Sequence, residues 1–301
     1  MMLVLVLVRA AVLLVGLAVS CSSDFAPPTI DVNLGDEPQV RWMPILKVFE
    51  SDFLKKAAQE VIDSTIPKWL HKVLRPLIKV SEVLLLPEPY GEELRGMAAH
   101  FGTSLSDTIM LNFAYEASAF CTSIVAQDKH GNVYHGRNLD YPHSVLRNLT
   151  VNVIFRKAGK TLEKAEDFQD AVLRLSKIPI ITGVYYIVGG ARAGEGVVIT
   201  RDRGGPADIW PLDPLSGGWY RVETNFDHWL PSPAKDHRRE AAEKAMNATG
   251  QEHINMYALY QVLSIFPVCN GITVYTTIMS GATPEKYTTL VRPPDCRASS
   301  G

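Results

Sequence analysis

The sequence predicts an α+β fold with a mostly helical first part and a strand-rich second part. Apolar residues recur at helical spacing from Arg41 to about Leu86. The segments after Cys121 are instead short, rich in β-branched and aromatic residues, and separated by Gly-containing turns. Many strands with segregated helices are typical of layered sheets. We therefore predict a helical part at 23–120 and a strand-rich part at 121–301.

Residues 1–22 are predicted to be a signal peptide. Residues 2–19 are apolar except for Arg9, and the small residues that follow are of the kind that signal peptidase accepts. A membrane anchor is the alternative, but Arg9 would be costly at bilayer depth and no basic cluster follows the apolar run. Glycosylation sequons at Asn148 and Asn247 require the same secretory route. These features favour a glycoprotein of the lumen, the lysosome or the exterior.

Composition excludes some classes of partner and cofactor. The chain has 301 residues, of which 47% are hydrophobic, and a formal net charge of −2, which gives no electrostatic reason to expect nucleic acid as a partner. The eight histidines show no metal-ligand spacing, so we expect no metal and no other cofactor.

After removal of the leader, Cys121, Cys269 and Cys296 remain. Their odd number predicts one free thiol, and Cys269 and Cys296 could form a disulfide.

The helical part is predicted in several pieces. Residues 24–40 lack periodicity and are predicted to be an extended lead-in. The helical pattern that follows should be interrupted at Pro67 and Pro76, because proline lacks a backbone donor and clashes with the preceding turn. Further helices are predicted at 90–99 and 106–120.

The strand-rich part is predicted to open with a β-hairpin. Its strands cover 121–126 and 132–136, and Asp128–Gly131 forms the turn, with glycine where a positive φ is needed. Further strands are predicted at 150–155, 183–188, 196–200, 218–223 and 271–277. Helices are predicted at 163–176 and 238–247.

This hairpin brings a cysteine, an arginine and a carboxylate together. Cys121 begins the first strand and faces the end of the second, where Arg137 and Asp140 follow. An amidase needs a nucleophile, a base and donors for an oxyanion. Cleavage of the Phe120–Cys121 bond would create an α-amino group with a pKa of about 7.7–8, which could accept the thiol proton. Arg137 would favour the thiolate, and Asp140 would hold and orient the amino group.

Simpler explanations of these three residues compete with the catalytic one. Cys121 could be a buried structural cysteine, because free cysteine is among the most buried residue types. Arg137 and Asp140 could form a surface ion pair at the end of a strand, which is common and contributes little to stability.

Longer motifs extend beyond the hairpin. The stretches 121–128 (CTSIVAQD), 134–142 (YHGRNLDYP), 221–229 (RVETNFDHW) and 236–239 (DHRR) closely resemble the catalytic subunit of the acid ceramidase family. The resemblance covers nearly the whole chain after the leader. It implies a four-layer αββα N-terminal-nucleophile hydrolase in which Cys121 is both the self-cleavage residue and the nucleophile.

The resemblance also assigns two residues that the hairpin does not explain. It implies that Asn225 is the side-chain donor of an oxyanion hole and that Arg238 is a second arginine bordering the site. From the sequence alone, Asn225 could equally be a turn residue after a strand, and Arg238 a helix residue on a solvated face.

The resemblance implies that the protein is a lysosomal amidase. Autocatalytic cleavage would first divide the chain into a helical alpha subunit and a catalytic beta subunit, which stay together as a heterodimer. The enzyme would then hydrolyse a saturated N-acylethanolamine, such as palmitoylethanolamide, to fatty acid and ethanolamine. The alternatives are an acid ceramidase-type or bile-salt-hydrolase-like amidase and, from another class, a lipid-binding glycoprotein without turnover. Basic and apolar residues interleaved at 42–86 would suit contact with a membrane surface, or would pack on the sheet.

The chain departs from the family after Lys160. There the family continues with a long block of strands, whereas this chain passes directly to a segment that the family places much later. Loss of the block should expose sheet edges and empty part of the core. We therefore expect impaired folding, self-cleavage and hydrolysis.

Overall fold

The structure, a computed structural model, describes residues 24–73, 76, 88–157, 160, 161, 167–180 and 182–296. The predicted signal peptide at 1–22 lies outside the described residues, as do parts of the predicted helices at 41–86 and 163–176. Among the helices within those ranges, none combines the length and the apolar character needed to cross a bilayer.

The N-terminal part is mainly helical, as predicted. Helical residues resume at 68–73 after a helix that ends at Thr65, which confirms the interruption expected at Pro67. Gly102 ends another helix with a φ of 61°, a left-handed conformation that glycine adopts without steric cost. The elements are β1 (Thr29–Asn33), α1 (Met43–Leu46), α2 (Ser51–Thr65), α3 (Tyr90–Phe101) and α4 (Leu105–Ser118).

Strands dominate the C-terminal part. Its elements are β2 (Phe120–Gln127), β3 (Val133–Asp140), α5 (Leu146–Leu149), β4 (Asn152–Lys157), β5 (Lys160–Thr161), α6 (Phe168–Lys177), β6 (Val184–Gly189), β7 (Gly196–Arg201), β8 (Pro206–Pro211), β9 (Tyr220–Glu223), α7 (Arg238–Thr249), α8 (Met256–Leu263), β10 (Thr273–Met279) and β11 (Thr288–Val291). Single 3-10 turns lie at Pro214–Ser216 and Pro284–Lys286.

The predicted hairpin forms the centre of a five-stranded sheet with the order β11-β10-β3-β2-β9. Gly131 in its turn has a φ of 88°, as expected. β3 continues to Asp140, beyond the predicted end at 136, because it pairs with β10 as well as with β2. In this register Phe120 lies opposite Asp140, and Cys121 lies opposite Leu139.

The four-layer αββα arrangement is confirmed. α7 and α8 cover one face of the five-stranded sheet around a core that includes Ile124, Met246 and Leu263. The other face packs against a second sheet, β6-β7-β8, through Val125 and Val133, and α6 packs on β6 and β7. Alternate residues of β2 thus face opposite layers, as the twofold period of a strand requires.

Several predicted boundaries were wrong. α4 ends at Ser118 rather than at residue 120, because Phe120 already pairs with β3 as the first residue of β2. The sequence patterns also missed the strands β1, β5, β8 and β11 and the helices α5 and α8. β8 begins and ends with proline and carries Asp208, and such a composition is typical of the edge strand that it forms.

Three connections tie the start of the chain to its C-terminal part. β1 pairs in parallel with β4 in a third sheet, β1-β4-β5. Phe25 exchanges backbone hydrogen bonds with Val291. The buried Arg292 donates to Asp24 at 2.8 Å and to the Ser264 hydroxyl at 3.0 Å. The N-terminal part is therefore attached to the C-terminal part at points distant in sequence from the Phe120–Cys121 junction.

The cysteines are divided as expected. Cys269 and Cys296 form a disulfide with 5.8 Å between their Cα atoms, and Cys121 is a free cysteine. Among the cysteines that the structure describes, Cys121 is therefore the one free thiol, as the sequence predicts for the chain after residues 1–22.

Close packing of α3 against the lead-in gives a test of the N-terminal part. A Cβ atom at Gly96 would overlap the backbone carbonyl of Gln39, which cannot rotate aside as a side chain can. Gly96→Ala is expected to lower the free energy of unfolding by about 2–3 kcal/mol. Gly205→Ala is the control, because a Cβ there meets no atom within 4 Å, and it should change the free energy by less than about 0.5 kcal/mol. Urea unfolding measures both, and equal effects would contradict the packing.

Candidate active site

Cys121 lies where the helical part meets the central hairpin. α4 ends at Ser118, and β2 begins shortly after it at Phe120. The Cys121 side chain is half-buried, whereas Phe120 is 41% exposed. The residue that precedes the candidate nucleophile is therefore accessible at the surface.

Arg137 contacts the thiol directly. Because alternate residues of a strand share a face, Cys121 and Ser123 of β2 lie on the same side of the sheet as Arg137, which pairs with Ser123. Arg137 Nη2 donates a hydrogen bond to Cys121 Sγ at 3.0 Å. A guanidinium beside sulfur stabilises negative charge on it. The contact that the hairpin predicts between these two side chains is therefore made.

The backbone of Cys121 is held by Asn225 and Arg238. Its N–H donates to Asn225 Oδ1 at 2.9 Å, and its carbonyl accepts from Arg238 Nη1 at 2.8 Å. Arg238 Nη2 donates to the same Asn225 oxygen at 2.9 Å. Since two donors occupy that oxygen, the Nδ2 amide is the group through which Asn225 can donate to a bound molecule.

Asp140 is linked to Cys121 through Arg238 rather than directly. Arg238 Nη1 donates to Asp140 Oδ2 at 3.2 Å, and the Thr273 hydroxyl donates to Oδ1 at 2.6 Å. Burial raises the pKa of Asp140, and the hydrogen bonds from Thr273 and Arg238 act in the opposite direction. The expected contact between Asp140 and the Cys121 nitrogen is not made in the uncleaved chain, because that nitrogen donates to Asn225.

Arg238 is buried at the start of α7 instead of lying on a solvated face. Its guanidinium also pairs with Asp236, with Nη2 and Oδ2 2.7 Å apart. The hydrogen bond from Arg238 lowers the pKa of Asp236, whose carboxyl group therefore stays charged in mild acid. One side chain thus joins Cys121, Asp140 and Asn225.

A cavity of about 530 Å³ opens at Cys121 between the two packed sheets. A molecule in this cavity would meet the thiol, the Arg137 guanidinium and Asn225 together. Val184 and Ile187 of β6 contribute apolar side chains to its wall. The lining also includes Ala119, Ser123, His135, Gly183, Tyr185, Tyr186, Glu223 and Thr224.

Two polar side chains near the thiol are uncharged. Burial and the charge of Arg137 lower the pKa of His135 to about 4, so its imidazole is neutral in mild acid. Burial raises the pKa of Tyr275, whose phenol is close enough to interact with Arg137 and Cys121. Neither side chain therefore adds charge beside the sulfur.

A second charged cluster, which no sequence pattern predicts, lies at the cavity. Glu223 has a fully buried side chain, and burial raises its pKa to about 7 despite a hydrogen bond from the Thr224 amide. Arg239, the residue after Arg238, donates to the carbonyls of Phe226, Asp227 and Leu230. Both residues stand inside the motifs that carry the family resemblance, but no spacing in the sequence brings Glu223 and Arg239 together.

The groups around the cavity suit hydrolysis of an amide. A thiol, a cation beside it and a carboxamide that can donate supply the nucleophile and the stabilisation of developing charge. Within the described ranges, no three or more His, Cys, Asp or Glu side chains are arranged to hold a metal ion.

Two family models match separate stretches of the chain. The model described as the beta subunit of N-acylethanolamine-hydrolyzing acid amidase matches residues 25–82. The model of linear amide C–N hydrolases, choloylglycine hydrolase family, matches residues 121–205 and so begins at Cys121. The first description therefore applies the name beta subunit to a stretch before Cys121, whereas the family resemblance of the sequence implies a beta subunit that begins at Cys121.

Known relatives match along most of the chain. The N-acylethanolamine-hydrolyzing acid amidases of Cavia porcellus and Mus musculus are 45% and 46% identical, over 91% and 89% of this chain and 94% and 90% of theirs. The acid ceramidase of Homo sapiens is 30% identical, over 90% of this chain and 87% of its own. A solved structure of the Caenorhabditis elegans N-acylethanolamine-hydrolyzing acid amidase ortholog aligns with a TM-score of 0.52 and 28% identity, covering 57% of this chain and 100% of that chain.

The alignment with the Cavia porcellus relative also bears on the missing block. It is 334 positions long, which exceeds the 301 residues of this chain. The relative therefore contains residues that have no counterpart here, as the predicted internal deletion requires.

Removal of the Arg238 guanidinium should destabilise the protein. Arg238→Met leaves Asp140 buried without its cation and is expected to lower the free energy of unfolding by about 3–5 kcal/mol. Adding Asp140→Asn to that variant should restore part of the loss, because the unpaired charge is gone. The exposed Arg203→Met serves as the control and should change the free energy by less than about 0.5 kcal/mol. Additive effects of the two site substitutions in urea unfolding would contradict the pairing.

Glu223 should make stability depend on pH. Its pKa rises from 4.5 in the unfolded chain to about 7 in the folded protein, so the folded state holds the proton more tightly. The stabilisation is complete below about pH 4.5 and is lost as the pH rises to about 7. The free energy of unfolding of the wild type minus that of Glu223→Gln should therefore fall by up to about 3 kcal/mol across this window. Urea unfolding at a series of pH values measures it, and a constant difference would contradict the raised pKa.

Proposed function

The chain belongs to the family of N-acylethanolamine-hydrolyzing acid amidases, and we propose that it is a cysteine amidase of N-acylethanolamines. Substrates such as palmitoylethanolamide would be split into fatty acid and ethanolamine. The observation that carries the proposal is the hydrogen bond from Arg137 to Cys121 Sγ in a cavity that Asn225 also lines.

The proposed first step is self-cleavage before Cys121. Cys121 Sγ attacks the carbonyl carbon of Phe120, and the acyl group moves from the Cys121 nitrogen to the sulfur as a thioester. Water then hydrolyses the thioester, which leaves a carboxylate on Phe120 and a free α-amino group on Cys121. The register supports a later role for Asp140: Phe120 lies opposite it, so departure of Phe120 opens the space through which the new amino group can turn towards its carboxylate.

The same sulfur would then hydrolyse the substrate amide. The α-amino group accepts the thiol proton, and Cys121 Sγ attacks the acyl carbon. Asn225 Nδ2 donates to the oxyanion, and Arg137 stabilises the charge near the sulfur. The ammonium returns its proton to the leaving ethanolamine nitrogen, and water releases the fatty acid from the thioester.

After self-cleavage, the two parts would remain together as a heterodimer. The β1–β4 ladder, the bridge between Phe25 and Val291, and the Asp24–Arg292 ion pair all join residues before Cys121 to residues after it. None of these contacts involves the Phe120–Cys121 bond. Cutting that bond therefore leaves the contacts between the two parts in place.

The proposed location is the lysosome, reached by the secretory pathway. The apolar leader at 1–22 supports this route. Asn148 and Asn247 of the two sequons are both exposed, so both are accessible to glycosylation. Trp69 and Val73, one helical turn apart and 68% and 50% exposed, support contact of the N-terminal part with a membrane surface.

Loss of the internal block is proposed to weaken the enzyme. β6, which lines the cavity, is an edge strand whose side chains are all only half-buried. An edge strand beside the cavity fits the expectation that the missing block leaves a sheet edge uncovered. Under this proposal, hydrolysis persists at a reduced rate because the hairpin, Asn225 and Arg238 remain in contact.

Intact-mass analysis of the secreted protein after acidification tests the proposal. The wild type should divide into two chains with Cys121 as a new N-terminus and should release ethanolamine from palmitoylethanolamide. Cys121→Ala should remain as one chain and lose turnover completely, because it lacks the attacking sulfur. Cys269→Ala is not a suitable control, since it breaks the disulfide, so the exposed Ser216→Ala serves instead and should be cleaved and active like the wild type.

Other outcomes would favour the alternatives. Cleavage with turnover of ceramide but not of palmitoylethanolamide would indicate an acid ceramidase-type amidase, which the 30% identity to human acid ceramidase makes the second candidate. A folded, uncleaved wild type that binds lipid amides without hydrolysing them would contradict the proposal and indicate a lipid-binding protein.

A further inference from the structure

The segment that carries Asn225 is held by Arg239. The Arg239 guanidinium donates to the carbonyls of Leu230, at 2.9 Å, and of Phe226 and Asp227. Arg239 is buried, so these backbone hydrogen bonds are shielded from water. We call residues 224–230 the Asn225 loop. Its position relative to Cys121 depends on where this guanidinium lies.

Glu223 stands at the start of the same loop. One carboxyl oxygen, Oε1, accepts from the Thr224 amide at 2.9 Å and lies 3.9 Å from Arg239 Nη2. The other oxygen, Oε2, is buried and has no hydrogen-bond partner within the described residues. It lies 3.9 Å from His228 Nδ1, which is also buried without a hydrogen-bond partner there. Both separations are too long for hydrogen bonds but short enough to close with small rotations.

Other charged groups surround the carboxyl group from each neighbouring element. Arg239 faces it from α7, and Asp227 and His228 face it from the Asn225 loop. Tyr185 faces it from β6 and donates to Asp227 at 2.8 Å, and Asp208 of β8 lies 3.5 Å from His228 Nε2. Burial lowers the pKa of His228, so its imidazole favours the neutral form. A charge on Glu223 would therefore act most directly on Arg239.

We propose that Glu223 is a positioning residue for Asn225. As a neutral acid it leaves the Arg239 guanidinium on the carbonyls of the Asn225 loop, and as a carboxylate it draws the guanidinium away and displaces that loop. Asn225 then no longer holds the geometry in which it donates to the oxyanion. The inference rests on the proposed function and adds a reason why the reaction would require acid.

The test compares wild type and Glu223→Gln in the hydrolysis of palmitoylethanolamide over a pH series. Glutamine keeps the shape and stays neutral, so the ratio of kcat for the variant to kcat for the wild type should rise about tenfold at one pH unit above the pKa of about 7. KM should change little, because the oxyanion donor acts mainly in the transition state. Titration of the α-amino group occurs in both proteins and cancels from the ratio.

Glu93→Gln is the matched control. Glu93 also pairs with a buried arginine, Arg41, but belongs to α3 and does not line the cavity. Its kcat ratio to the wild type should be constant with pH. A constant ratio for Glu223→Gln, or a pH-dependent change confined to KM, would overturn the proposal.

A measurement on the wild type alone covers the case in which Glu223→Gln fails to fold. Hydrogen–deuterium exchange of peptides that span 224–230, corrected for the intrinsic pH dependence of exchange, should be several-fold faster above about pH 7 than at pH 5. Unchanged protection would overturn the proposal. If the wild type folds but does not hydrolyse palmitoylethanolamide, the proposed function fails, and the exchange measurement still decides whether Glu223 controls the loop.

Discussion

The site depends on one buried guanidinium. Arg238 donates to the Cys121 carbonyl, to Asp140 and to Asn225, and so joins the start of β2, the end of β3 and the loop after β9. The β2–β3 and β2–β9 ladders bring these segments to one end of the sheet, and the Arg238 guanidinium contacts all three of them there. Because α7 supplies the arginine and packs on the five-stranded sheet, the position of that helix sets the distance between the thiol and the carboxamide.

Strand register decides which side chains reach the cavity. Cys121 and Arg137 face the second sheet, whereas Ile124 faces α7 and α8. A slip of one residue would exchange these faces and remove the thiol from the cavity. Asn138 opposes such a slip, because its buried amide donates to the carbonyls of Leu263 and Val268 and its oxygen accepts from Thr276. Asn138, on the helix side of β3, therefore fixes the strand register that keeps Cys121 and Arg137 facing the cavity.

The sequence predicted those parts of the site whose contacts join residues close together in the chain. The hairpin and the Arg137–Cys121 contact follow from strand pairing over a short stretch, and both are present. Asn225 and Arg238 required the family resemblance, because their contacts with Cys121 span 104 and 117 residues. Glu223 and Arg239 were missed, since no local pattern relates a residue at the end of an edge strand to one in the following helix. β8 was missed because its prolines resemble those of a loop.

Arg238 and Arg239, adjacent residues of α7, hold different parts of the site. Successive helix residues point about 100° apart, so Arg238 faces the Cys121 backbone while Arg239 faces the Asn225 loop. Their partners differ in kind: Arg238 pairs with Asp236, whose pKa is lowered, whereas Arg239 lies beside Glu223, whose pKa is raised to about 7. In mild acid Asp236 keeps its charge while Glu223 has none. Deprotonation of Glu223 near neutral pH therefore acts on the Asn225 loop through Arg239. The contacts of Arg238 with Cys121 stay the same.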